Sequence, residues 1–120
     1  PMEKRQFNRI TFMTPAQLRQ GDQTWDTRIF DLSLKGALIQ YPTDFEGDLH
    51  EQFHLEFRLE GVQLFIKPTG HIAHNNNHRL GFSIDHIDID SATQLRQLMA
   101  LNLGDEELLD RDIKALSEAV

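Results

Sequence analysis

The feature that most narrows the folds open to this chain is a two-residue alternation in its middle. Phe53, Leu55, Phe57 and Leu59 fall on one side of an extended strand, and His54, Glu56, Arg58 and Glu60 on the other. Gly61 interrupts the run, and Val62, Leu64 and Ile66 then resume it until Pro68. Two alternating segments parted by a glycine and stopped by a proline describe a hairpin with one buried face.

Other strands follow from the same rule. Phe30, Leu32 and Leu34 share one face of a run whose other face carries Ile29, Asp31, Ser33 and Lys35. Shorter candidates lie at 15–20, 37–41, 70–74 and 79–87, with a turn at Asn75-Asn76-Asn77. Around six strands joined by turns favour a closed antiparallel barrel, because closure removes exposed edges. The periodicity changes at Ser91. Ser91 and Gln94 have the spacing of a capping box, Leu95, Leu98 and Met99 recur at helical spacing, and Gly104 stops the helix. A second helix carries the stripe Leu109, Ile113, Leu116 and Val120 behind an acidic first turn. The expected class is mainly β: a six-stranded antiparallel β-barrel at 11–90, with C-terminal helices at 91–120.

At 120 residues the chain suits one domain, 1–120, with a real core. Zero cysteines exclude disulfides, thiolate metal sites and a cysteine nucleophile. No apolar run approaches the roughly 20 residues of a membrane-spanning helix and the N-terminus has no signal-peptide core, so a cytoplasmic protein without membrane insertion is expected. The formal charge of −7 disfavours DNA and RNA and requires any anionic ligand to find a local exception. Residues 1–10 supply one: Lys4, Arg5 and Arg9 face only Glu3. The end from Gly104 onward is acidic.

Two constellations place polar groups where packing has no evident use for them. Arg5-Gln6-Phe7-Asn8-Arg9 lies near a terminus without periodicity, which points to a flexible N-terminal arm over 1–10. Guanidinium forks match phosphate oxygens and the O6 and N7 acceptors of guanine. The alternative is a pair of solvated surface arginines. Asp31-Leu32-Ser33-Leu34-Lys35-Gly36 would project a carboxylate and a hydroxyl from one strand face, and a carboxylate can accept from guanine N1 and N2. Gly36 would permit a positive φ or close approach of a ligand. Here the alternative is a local turn, in which Asp and Ser near a Gly cap backbone groups.

Taken together the two patterns resemble the PilZ domain, marked by Arg-x3-Arg in an N-terminal arm and Asp/Asn-x-Ser-x2-Gly on a barrel strand. Arg5 and Arg9 match the first motif, and Asp31, Ser33 and Gly36 match the second. Leu80-Gly81-Phe82 is similar to the family's late strand, and the stretch Leu101–Leu109 to small stand-alone members. The resemblance implies a six-stranded PilZ-type barrel that binds cyclic diguanylate (c-di-GMP) on its outer wall, as a non-enzymatic receptor. Arg5 and Arg9 would grip phosphate and guanine, and Asp31 and Ser33 a second guanine. Lys4, just before the first arginine, tilts the expectation toward a stacked pair of nucleotides. His74 stands where relatives place a large side chain on a base, and an imidazole stacks less extensively than an indole. No other cofactor is implied. The expected partners are c-di-GMP and an unidentified downstream protein, with the chain itself a monomer.

Three other readings compete with this one. His71, His74 and His78 suit a metal by type, but residues 71 and 74 of a continuous strand face opposite ways. A hydrolase built on Ser33 lacks a Gly-x-Ser-x-Gly elbow, a P-loop or a His-Glu-x2-His pair. A nucleotide-independent interaction module would use the barrel or the acidic C-terminal helices.

Overall fold

The computed structural model describes residues 7–58, 65–76, 78–104 and 106–118. Its elements are β1 (Ile10–Gln20), β2 (Gln23–Leu32), β3 (Gly36–Gln40), β4 (Phe53–Arg58), β5 (Phe65–Ile66), β6 (Thr69–Asn75), β7 (Arg79–His86), α1 (Ile89–Leu103) and α2 (Glu106–Glu118). Hydrogen-bonded neighbours run β1-β2-β3-β7-β6-β4, and pairing of β4 with β1 closes the ring. Ala16 to Arg19 face Phe57 to His54 along that closing ladder. The two-residue β5 adds no seventh side. Phe57 pairs with Ile66 and Phe53 with Gly70, and between them the Leu55 N–H donates to the Pro68 carbonyl at 3.0 Å. β5 and β6 are therefore one ladder along β4, interrupted at Lys67-Pro68 because proline has no N–H to contribute. The expected six-stranded antiparallel barrel is what the chain forms, and the expected hairpin is its β4–β5–β6 side. The turn expected at Gly61, together with Asn77 and Val120, lies outside the described residues.

The barrel interior takes apolar side chains from β1, β2, β3, β4 and β7. Leu18, Ile29, Leu32, Ile39, Phe53, Leu55, Phe57, Leu80 and Phe82 are all buried there. Near the start of β4, Trp25, Tyr41 and Phe45 stack edge-on beside Phe53, with Trp25 and Phe45 ring centres 4.9 Å apart. Near the other end of β4, α1 packs on β5 and β1 and buries Leu95, Leu98 and Met99. At about 25 cal/mol per Å² of apolar surface, burial of these large side chains supplies most of the drive for closure.

β-Bulges alter the expected faces. Between Ile29 and Asp31 the β2–β3 register slips, so Ile29 and Leu32 both point inward while Phe30 turns outward under the Arg79 guanidinium, 4.2 Å from its ring centre. The expectation that Phe30 shares the core face with Leu32 is thus corrected, and Leu34 is buried from the turn beyond the strand. A second slip in β6, between Ile72 and His74, pairs His71 with Ser83 and His74 with Gly81. His71 and His74, expected on opposite faces, both stand outside.

α1 begins earlier than Ser91. Asp88 is the N-cap, and its carboxylate accepts the Ser91 N–H at 3.0 Å. Ser91 instead lies buried in the first turn, where its Oγ accepts the Lys67 N–H at 2.9 Å and ties the helix to the β5–β6 junction. Gly104 closes the helix with a left-handed conformation, as its position suggested. In α2, Leu109 and Ala115 are buried and Ile113 and Leu116 half-buried, but the stripe also contains a buried carboxylate, Asp112.

The Ser91 hydroxyl, and then its N–H, hold the Asp88 carboxyl below the usual carboxylate range. A depressed native pKa stabilises the fold above the ordinary carboxylate range, and that contribution is lost as pH falls through the lowered native value. Asp88→Ala is expected to cost about 1 kcal/mol in urea unfolding at neutral pH. The cost should shrink in melts run below the native pKa, where the wild-type carboxyl is uncharged and caps only as a neutral acceptor.

Candidate functional site

The β1–β2 register sets the site's first contact. Ile10 pairs with Leu32 and Thr11 with Asp31, so Arg9, one residue before β1, reaches the end of β2. There its guanidinium Nη1 donates to the Asp31 carboxylate. The arginine side chain is 56% exposed and the aspartate 25%, so this ion pair is wet and worth at most about 1 kcal/mol. An incoming anion can compete for it cheaply.

The chain then turns into β3. Ser33 lies in this turn, outside the strand, and is 2% exposed. Its N–H donates to the Gly36 carbonyl at 2.9 Å, and its Oγ accepts the N–H groups of Lys35 and Gly36, each at 3.1 Å. Asp31 and Ser33 therefore do not project from one strand face. The serine forms the capped turn that was the alternative reading of this motif, and its hydroxyl oxygen is already occupied by backbone. Gly36 has no positive φ; it pairs with Ser83 of β7, and a β-carbon there would lie 2.2 Å from the Phe82 carbonyl oxygen. Glycine is needed because two backbones approach closely.

Across the outer wall, Asp31 pairs with Leu38, Leu38 with Gly81, and Gly81 with His74. The imidazole leans over Gly81, where a β-carbon would meet it at 3.0 Å. An open groove of about 510 Å³ runs along this wall and is lined by Arg9, Ser33, Gly36 and His74. Phe7, Lys35 and Ser83 line it as well. Among the described residues no carboxylate lines it, whereas a smaller recess of about 310 Å³ elsewhere carries Asp26 and Glu56 beside Arg58. The larger groove is accordingly the one suited to an anion. Lys4 and Arg5 lie outside the described residues. His71 pairs with Asp85 at 3.0 Å, and among the described residues no three metal-binding side chains converge.

The arm residues that are described are anchored. Phe7 packs half-buried against the core. The Asn8 main-chain N–H donates to Asp112 Oδ2 at 3.0 Å, and its side-chain amide donates to both Asp112 oxygens at 3.2 Å. The residue just before Arg9 is thereby clamped to the buried carboxylate of α2. Sequence reading passed over this pair, because residues 104 positions apart give no local signal. Lys35 was in view within the motif, and Ser83 joins the groove only through its pairing with Gly36.

With this geometry established, comparison places the chain in a family. The PilZ domain family model matches residues 3–101, and the chain belongs to that family. Among solved structures it is similar to the Bacillus subtilis inhibitor of motility MotI/DgrA, at TM-score 0.66 and 16% identity, over 81% of this chain and 50% of that one. It is similar also to the PilZ domain of CeSA from a cellulose-synthesizing bacterium, at TM-score 0.57 and 19% identity, covering 81% of this chain and 96% of that domain. A third is the Borreliella burgdorferi PlzA protein in complex with c-di-GMP, at TM-score 0.57 and 17% identity, over 77% of this chain and 39% of that one. The chain thus spans about half or less of the MotI/DgrA and PlzA chains.

Gly36→Ala is expected to lower the melting temperature markedly, since overpacking against backbone costs about 1 to 3 kcal/mol. Ser33→Ala strands two N–H groups and should cost about 1 to 3 kcal/mol. Thermal unfolding followed by circular dichroism reads both.

Proposed function

We propose that this chain is a non-enzymatic, cytoplasmic receptor for c-di-GMP that binds as a monomer and passes the signal to a downstream protein. The observation that carries the reading is convergence: Arg9, Ser33, Gly36 and His74, singled out from separate parts of the sequence, line one groove that has no carboxylate among its described residues, with Asp31 beside it in contact with Arg9. Membership of the PilZ family supports it, as does the c-di-GMP complex of the structurally similar PlzA.

In this mechanism the phosphodiester draws the Arg9 guanidinium from Asp31, and the released carboxylate accepts the N1 and N2 donors of a guanine. His74, leaning over Gly81 on the outer wall, offers its ring to a base. Arg5 and Lys4 close over the ligand from the arm side, with Lys4 favouring a stacked pair. Ser33 and Gly36 serve by fixing the turn beside the groove. The Asn8–Asp112 clamp gives the response a route outward, because any movement of Arg9's backbone pulls on α2. A changed arm and helix surface is what the partner protein reads.

Calorimetric titration with c-di-GMP should show saturable binding, with a stoichiometry of two for a stacked pair and one for a single nucleotide. Arg5→Ala and Arg9→Ala should each weaken it by at least about tenfold, or 1.4 kcal/mol, while the barrel melts normally. Unchanged binding in both variants would remove the arm from the site. Hydrogen exchange should register the nucleotide both at Phe7–Arg9 and in α2; a response confined to the groove would argue against transmission through the helix.

A further inference from the structure

The groove has two described basic side chains along it, and they are not in the same state. Arg9 is already engaged with Asp31. Lys35 is exposed and makes no ion pair among the described residues. Its backbone is nevertheless fixed: its N–H donates to Ser33 Oγ at 3.1 Å, and its carbonyl accepts the Ile84 N–H of β7 at 2.8 Å. An exposed ammonium thus stands on a hydrogen-bonded backbone at the groove, in a protein of net charge −7 that otherwise repels anions.

We propose that Lys35 is a ligand-binding residue that captures the phosphodiester first, before Arg9 leaves Asp31. This inference rests on the receptor reading above and adds a residue and an order of events to it. Before binding, the Asp31 carboxylate cancels most of what Arg9 could contribute at long range, so among the described residues of the groove Lys35 supplies the attractive field. Exchange of Arg9 from carboxylate to phosphate then follows at short range, where the guanidinium fork can form paired hydrogen bonds. A lysine suits the capture step, since a point charge on a flexible stem accepts a phosphate from many directions. Ordinary solvated surface lysines share the exposure of Lys35 but not its place in the groove beside Arg9 and His74.

The test is stopped-flow association of fluorescently labelled c-di-GMP with wild type, Lys35→Gln, Lys35→Glu and Lys35→Arg, at low and at high salt. Lys35→Gln should slow association by about fivefold at low salt, since removal of a rim charge acts chiefly on the on-rate. Lys35→Glu should slow it further and Lys35→Arg should restore it. The differences should shrink in high salt, where charges beyond a Debye length of several ångströms are screened. All four proteins should melt alike, because the hydrogen bonds of Lys35 belong to its backbone. Wild-type binding with unchanged association in both Lys35→Gln and Lys35→Glu would overturn the capture role and leave the receptor reading standing. Absence of wild-type binding would overturn both.

Discussion

The ladder between β1 and β4 is the constraint on which the remaining geometry rests. Until Ala16–Arg19 meet Phe57–His54, the strands form an open sheet with two edges and no enclosed interior. Closure gives Leu18, Leu55 and Phe57 a common inside, and it gives the wall from β2 through β6 a fixed outward curvature. The candidate groove lies on that outer wall. Its residues come from the segment before β1, the β2–β3 turn, β3, β6 and β7, which are successive neighbours in the sheet.

Two irregularities shape this barrel wall. The slip after Ile29 ends strict alternation, so that the following residues enter a capped turn instead of continuing the strand. The slip before His74 turns a second imidazole outward beside Gly81. Bulges of this kind re-aim individual side chains without disturbing the core on either side. The tight pairing of Gly36 with Ser83 then holds the turn against β7. The motif glycine and serine thus owe their identities to backbone geometry, and through it they shape the groove in which Arg9 and Lys35 offer charge.

The N-terminal arm and α2 form the other coupled pair. A buried carboxylate is costly unless it is hydrogen-bonded, and Asp112 is supplied by the main chain and amide of Asn8. The arrangement fastens the acidic C-terminal helix to the residue adjoining the site's arginine. The N-terminal stretch and α2 are consequently joined at the backbone next to Arg9.

Much of this was legible in the chain itself. Alternation at 53–66, the helical spacing of Leu95, Leu98 and Met99, and Gly104 as a stop are local properties, and local periodicity is set by the backbone wherever the chain lies. Arg9 and the Asp31, Ser33 and Gly36 motif were likewise legible, by their combination and spacing, since each residue type alone is ordinary on a surface. Faces could not be read past Ile29 or Ile72, since a bulge depends on which strand lies opposite. The true cap at Asp88, the turn role of Ser33, the close contact behind Gly36 and the Asn8–Asp112 clamp were decided only by the folded structure. Each depends on atoms brought together by closure and helix docking, and hydrogen bonds and steric contacts act over a few ångströms of space regardless of separation along the chain.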